Sequence, residues 1–271
     1  MKFPIILPNF SPNIIEIGSF AIRWYSLAYI AGVLLAFGFI KYFNQKKISK
    51  EALDDWLFWA VLGVVLGGRL GYVLFYNFSF YIHHPWQILA VWHGGMSFHG
   101  GCLGAIVSMF FFCKKYKIVF LELTDSLAIA TPAGLFFGRV ANFINMELYG
   151  RVTGSNFGVI FPNAGDLPRH PSQLYEAALE GLMLFIILFS LAKFTKIRQK
   201  VGMLSGLFLV LYSLARIFVE QFREPDEQIG FFFNSNITIG QILSTPMIIV
   251  GIVMMIFSLK KIDYTKTNAS V

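Results

Sequence analysis

Trp56-Leu57-Phe58-Trp59-Ala60-Val61-Leu62-Gly63-Val64-Val65-Leu66-Gly67-Gly68-Arg69-Leu70-Gly71-Tyr72-Val73-Leu74-Phe75-Tyr76 carries one charge in its whole length. A helix needs about 20 predominantly apolar residues to cross a hydrocarbon core of about 30 Å. This stretch is long enough and contains no proline. Six further runs of the same character, at 19–40, 97–113, 119–140, 174–192, 201–222 and 237–259, raise the expected number of spans to seven. The run at 97–113 is short, and the one at 119–140 contains Pro132. The expected fold is an all-α polytopic membrane protein, a single seven-helix domain over residues 1–271, with extramembrane loops at 77–96, 141–173 and 223–236.

Composition agrees with that reading. Of 271 residues, 56% are hydrophobic and only 14% charged, with a mean hydropathy of +0.64. A soluble domain carries about a quarter charged residues, so this chain cannot cover a water-facing surface in the ordinary way. The net charge of +7 would suggest nucleic acid on a soluble protein. Divided between the two sides of a membrane, it says something else. Fourteen Lys and Arg fall at 41–55, 114–118, 193–200 and beyond residue 259, whereas the opposite side holds only Lys2, Arg151, Arg169 and Arg223. The positive-inside rule makes the first group cytoplasmic, so the C-terminus is inside and the N-terminus periplasmic. With its four acids the cytoplasmic side carries +10, and the rest of the chain −3. The basic excess is therefore a topology signal suited to anionic inner-leaflet lipid, and nucleic acid is excluded as a partner.

Residues 1–18 show no charged-then-apolar run ending in a small-residue cleavage site, so no cleavable signal peptide is expected. The loops at 77–96 and 141–173 are expected to form a small periplasmic cap. Cys102 and Cys113 share one helix and are too far apart along it to pair.

Lysine and arginine are segregated. Every Lys except Lys2 is on the cytoplasmic side, whereas every Arg except Arg198 is in a span or outside. Arginine's planar fork of donors grips phosphate or carboxylate bidentately, which lysine cannot do. Arg23, Arg69, Arg139 and Arg216 fall within the expected spans, at what reads as one level in the outer part of the membrane. Intramembrane charge costs about 2.5–3.5 kcal/mol on insertion scales and marks function by default; snorkelling to the interface is the bland alternative, favoured for Arg23 alone. Arg216 and Glu220 are one turn apart and suit an ion pair. Glu176 and Glu180 share a face at the start of the fifth span, as a general acid/base pair or, more in keeping with the helix dipole, as structural partners. Glu122 and Asp125 read as capping residues of the fourth span.

Four stretches carry the polar chemistry. Gly94-Gly95-Met96-Ser97-Phe98-His99-Gly100-Gly101 puts a titratable His99 at a helix start; it misses the Gly-x-Ser-x-Gly elbow, because His stands at the last position. Gly138-Arg139-Val140-Ala141-Asn142-Phe143-Ile144-Asn145-Met146-Glu147-Leu148-Tyr149-Gly150-Arg151 gathers two Asn, a Glu and two Arg at a membrane exit, where unsatisfied polar groups are costly. Arg169-His170-Pro171-Ser172-Gln173-Leu174-Tyr175-Glu176 offers Ser172 as an N-cap. The fourth is Arg216-Ile217-Phe218-Val219-Glu220-Gln221-Phe222-Arg223-Glu224-Pro225-Asp226.

These stretches resemble the bacterial phosphatidylglycerol–prolipoprotein diacylglyceryl transferase family. Gly138 to Gly150 fits that family's signature, Gly-Arg-x-Gly/Ala-Asn-Phe-aliphatic-Asn-x-Glu-x-x-Gly, at every fixed position. The third and fourth stretches, Arg23-Trp24-Tyr25 and His99-Gly100-Gly101 match as well; Cys102 departs from the Leu usual after that last triplet.

The resemblance implies transfer of the diacylglyceryl group of phosphatidylglycerol to the lipobox cysteine thiol of prolipoprotein signal peptides, in the bacterial cytoplasmic (inner) membrane, with a site toward the periplasm. It implies no cofactor and no metal, phosphatidylglycerol being a co-substrate. Arg139 and Arg216 are then expected at the donor phosphate, with Glu220 orienting Arg216. His99 is the expected base or a hydrogen-bond donor to the headgroup, with Glu147 or a water as the alternative base. Asn142 and Glu147 position substrate or arginines, Tyr25 supplies a hydroxyl, and Gly150 allows either a close backbone approach or a turn with positive φ. Two other classes compete. An anion transporter predicts charge along the inner halves of helices that here hold none. A structural subunit predicts only small-residue packing faces, such as Gly67–Gly71, Gly100–Gly104 and Gly202–Gly206, and leaves the arginines unexplained.

Overall fold

The computed structural model describes residues 4–8, 10–17, 20–44, 48–225 and 237–267. Lys2, Lys46, Lys47, Asp226 and the rest of the expected loop to residue 236 lie outside the described residues, as do the side chains of Lys261, Asp263 and Lys266. In chain order the elements are β1 (Ile5–Ile6), β2 (Asn13–Ile17), β3 (Phe20–Arg23), α1 (Trp24–Asn44), α2 (Lys50–Phe75), α3 (Phe78–His83), α4 (Phe98–Tyr116), α5 (Phe120–Ile144) and β4 (Val159–Ile160). They continue with α6 (Ser172–Phe194), α7 (Met203–Val219) and α8 (Ile239–Thr267).

Each of the seven apolar runs forms a helix. Five (Trp24–Asn44, Lys50–Phe75, Phe120–Ile144, Ser172–Phe194 and Ile239–Lys260) are long and apolar enough to cross a membrane. The chain is thus a mostly helical protein of multi-pass membrane character. The first helix begins at Trp24 rather than near residue 19, because Phe20–Arg23 pairs antiparallel with Asn13–Ile17. A short apolar run fits strand and helix equally well, and pairing decides between them. Arg23 therefore lies outside the helix and is exposed.

The chain forms two compact units, residues 40–123 and residues 1–39 together with 124–271. In the unit of residues 40–123, α2 and α4 lie backbone against backbone. A Cβ added to Gly67 would sit 2.6 Å from the Gly104 Cα, and one on Gly100 would sit 2.9 Å from the Gly71 Cα. Small residues at this spacing let helices approach closely where lipid supplies no hydrophobic drive. Ser49 caps α2 by accepting from the Ala52 N–H at 3.2 Å. Ser97 caps α4 in the same way, accepting from Gly100 N–H at 3.2 Å, while its own N–H donates to the Gly68 carbonyl at 2.8 Å. At the other end Lys115 pairs with Asp55 at 2.8 Å. The expected loop at 77–96 contains α3 and two 3₁₀ turns, Pro85–Leu89 and Val91–His93.

In the second unit α7 packs on α8, where a Cβ on Gly206 would sit 2.7 Å from the Gly251 carbonyl oxygen. α5 runs through Pro132 without interruption. Glu122 lies in its first turn, but Asp125 does not cap it. The Asp125 carboxylate accepts from Gly202 N–H, Ser205 N–H and Ser205 Oγ, each at 2.7 Å, and so caps α7 instead. Ser172 likewise differs from expectation. It is the first residue of α6 and makes no capping bond to that helix. α6 widens to π-helical geometry over Ala177–Met183, an irregularity that often accompanies functional sites. β1 pairs parallel with β4, over a small core of Leu7, Met146, Val159 and Phe161.

Candidate active site

The site is built where α5 ends. Arg139 and Asn142 are three residues apart and share a face, and Arg139 Nη1 donates to Asn142 Oδ1 at 3.5 Å. Beyond Ile144 the chain turns sharply. Asn145 N–H donates to the Ala141 carbonyl at 2.9 Å and Glu147 N–H to the Asn142 carbonyl at 3.0 Å. Met146 and Leu148 both take left-handed backbone, at φ 55° and 54°, a region uncommon for side-chain-bearing residues. Side chains from elsewhere hold the turn: Asn163 Nδ2 donates to the Met146 carbonyl at 2.9 Å, Gln173 Nε2 to that of Glu147 at 2.6 Å and Ser172 Oγ to that of Leu148 at 3.1 Å. At Gly150 the reason for glycine is close approach, not positive φ. A Cβ there would lie 2.5 Å from both the His170 and Phe222 carbonyl oxygens.

This turn aims Glu147 at Tyr25. The Tyr25 hydroxyl donates to Glu147 Oε2 at 3.0 Å and accepts a very short hydrogen bond from Asn142 Nδ2. Tyr25, remote in sequence, thus joins Asn142 and Glu147 in one chain that begins 3.5 Å from Arg139.

Behind it stands a buried ionic cluster. Glu176, Glu180 and Glu220 are at most 1% exposed, and such charges persist only when compensated. Glu176 is the hub: Oε2 meets Arg139 Nε at 2.8 Å and Oε1 meets Arg216 Nη1 at 2.7 Å. Arg216 Nη2 is in very close contact with Glu220 Oε1, one turn on. Arg223 lies 3.7 Å from Glu176 and 3.6 Å from Glu220. Glu180 touches Arg216 at 3.6 Å and Arg139 at 3.9 Å, yet accepts no hydrogen bond from the described residues. Gly240 leaves room for this arrangement, since a Cβ there would collide with the Glu220 carboxylate. Arg151 Nε donates to the Arg223 carbonyl at 2.9 Å, and Arg169 Nη1 donates to the Gly150 carbonyl at 3.2 Å. Both tie neighbouring loops to the signature turn. Beside them His170 packs against Phe222 and Tyr175, and burial pulls its pKa below the ordinary value.

Six expected site residues, Tyr25, Asn142, Glu147, Arg139, Arg216 and Glu220, are therefore brought together, with Gly150 in the turn. Arg69, 4% exposed, gives its donors to the carbonyls of Gln87, Ile88, Ala90, Gly94 and Gly95 within the unit of residues 40–123. It holds a loop in place. His99 belongs to that unit too. It is exposed in the first turn of α4, with its ring edge on Phe98. Glu176 and Glu180 take the structural-pairing role rather than standing as a free acid and base. Arg223, Ser172 and Gln173 were not expected among the site-building residues. Their positions within motif-like stretches were the available signal. Among the described residues no group of His, Cys, Asp and Glu is arranged to hold a metal ion.

The sequence model of the prolipoprotein diacylglyceryl transferase family matches residues 12–257. Among curated relatives, a phosphatidylglycerol–prolipoprotein diacylglyceryl transferase of Rickettsia akari is 53% identical over 247 residues, covering 90% of this chain and 95% of the relative. The Rickettsia canadensis protein of the same name is 54% identical over 250 residues, covering 91% and 96%. With the match spanning nearly all of the described helices, the chain belongs to the prolipoprotein diacylglyceryl transferase family.

Proposed function

We propose that this protein transfers the diacylglyceryl group of phosphatidylglycerol to the lipobox cysteine thiol of prolipoproteins, the first step of lipoprotein maturation. The thiol loses its proton to a base, and its sulfur attacks the glyceryl carbon. A carbon–sulfur bond forms as the carbon–oxygen bond to phosphate breaks, and glycerol phosphate leaves with the bonding pair. The reading draws its main support from one observation: Arg139 and Arg216 converge on a single buried carboxylate, Glu176, at 2.8 and 2.7 Å. Two guanidiniums fixed by a shared partner present their remaining N–H groups in a set direction. Preorganised donors at a phosphate that gains charge in the transition state lower the barrier more than they tighten ground-state binding.

In this scheme Arg139 and Arg216 hold the donor phosphate and Glu220 orients Arg216. Asn142, Tyr25 and Glu147 line the headgroup side, and Gly150 keeps the turn close to its neighbours. His99 is the base, or a donor to the headgroup. A thiol with pKa about 8.5 needs such help to react as thiolate. The chemistry as written calls on no metal or cofactor; the partners are phosphatidylglycerol, the prolipoprotein signal peptide and membrane lipid.

The architecture we assign is seven spans in the bacterial cytoplasmic (inner) membrane, with the N-terminus periplasmic, the C-terminus cytoplasmic, the loops at 77–96, 141–173 and 223–236 periplasmic, and the site toward the periplasm. The helical runs and the one-sided distribution of lysine support it. The test is transfer of labelled lipid from phosphatidylglycerol to a lipobox peptide in detergent. Arg139→Ala with full activity would sink the phosphate clamp, and His99→Gln with full activity would sink the base.

A further inference from the structure

We infer that Ser172 and Gln173 are positioning residues of this reaction. They grip consecutive carbonyls of the signature turn and thereby fix the direction of the Glu147 carboxylate and, through it, of the Tyr25 hydroxyl. The inference rests on the transferase reading and deepens it.

The turn at 145–150 is held by more than its own backbone bonds. Met146 and Leu148 stand in left-handed backbone on either side of Glu147, each costing about 1–2 kcal/mol for a residue with a side chain. Such conformations persist only where the surroundings over-determine them. The determinants are Gln173 Nε2 on the Glu147 carbonyl at 2.6 Å and Ser172 Oγ on the Leu148 carbonyl at 3.1 Å. Both residues are 0% exposed, so bulk solvent does not compete with either bond. Asn163, which is exposed, holds the Met146 carbonyl from outside at 2.9 Å.

Placement strengthens the argument. Ser172 and Gln173 open α6, and Glu176, the hub between Arg139 and Arg216, follows within one turn of the same helix. One short rigid segment therefore sets both the phosphate clamp and the Tyr25–Glu147 contact, fixing the distance between them. Both side chains face backbone carbonyls rather than any reacting atom, so they act through Glu147.

The test is steady-state kinetics of Ser172→Ala and of Gln173→Met, a near-isosteric change without a donor, together with equilibrium binding of phosphatidylglycerol. The arginine clamp is untouched in both. The expected result is a kcat lower by about 10-fold or more, as misplacement of a site group produces, with lipid binding weakened no more than Glu147→Gln weakens it. Asn163→Ala, which opens no interior space, is expected to lower kcat by a smaller factor. In a Glu147→Gln background, Ser172→Ala is expected to add less than about a twofold loss, because coupled residues are not additive. Unchanged kcat in both buried variants would overturn the inference, as would lipid binding weakened beyond that of Glu147→Gln, or full additivity with Glu147→Gln. A parent protein without any transfer would instead overturn the transferase reading itself.

Discussion

Arg69 and Arg216 are both guanidiniums in apolar helices, the first buried and the second largely so, and the protein satisfies them in opposite ways. Arg69 meets five neutral backbone carbonyls, which account for all five of its N–H groups. Arg216 meets three carboxylates and shares them with Arg139 and Arg223. A guanidinium surrounded by carbonyls is a fastener whose donors are saturated. One balanced by carboxylates in a crowded cluster has its charge compensated by groups of opposite sign. Burial and helix position alone do not distinguish the two; the identity of the acceptors does.

The largest effect expected from this contrast is on turnover. Arg216→Lys keeps the charge and loses the fork, and we expect transfer to fall about 100-fold, the scale seen when one preorganised donor is removed. A change under threefold in the peptide assay would mean that Arg216 serves as a fastener as well. Next comes Arg69→Met, which strands several carbonyls. Stability should fall by about 3 kcal/mol, while kcat of the folded fraction stays within about threefold. Thermal melting in detergent alongside kinetics checks it, and a kcat loss without a melting shift would erase the distinction.

Smaller effects probe the frame around both sites. Asp125→Ala frees two N–H groups at the start of α7 and should cost about 1–2 kcal/mol with kcat unchanged. The smallest concerns His170. Burial lowers its pKa, so the folded chain holds that proton less tightly than the unfolded one. The associated stability is present above the unfolded value of about 6.5 and is lost as pH falls through it toward the folded value. Melting temperature against pH should decline on that side, and His170→Phe should flatten the decline.

Much of the site was legible because helical spacing is. Arg139 with Asn142, and Arg216 with Glu220, are neighbours by periodicity alone, and both contacts occur. The hub role of Glu176 was not legible, since contact across three helices depends on how they pack. Arg69 misled for a different reason. Its partners are carbonyls, which every residue has and which leave no mark in a sequence. Asp125 looked like a cap for its own helix and serves α7, because a carboxylate near a helix start fits any nearby N-terminus. Phe20–Arg23 read as the first turn of a helix because three apolar residues followed by one Arg have no resolvable period. The left-handed Met146 and Leu148 gave no signal, as neither is the glycine or asparagine that such backbone usually selects.

The glycine contact between α2 and α4 has a mechanical consequence. Where Gly67 meets Gly104 and Gly71 meets Gly100, no flexible side chain lies between the two backbones to act as a cushion. The Ser97–Gly68 bond fastens one end and the Lys115–Asp55 pair the other. Close-packed interiors transmit strain, and here backbone meets backbone directly. The two helices act as one beam: a tilt applied to one is carried by both, and bending is confined to the loops at its ends.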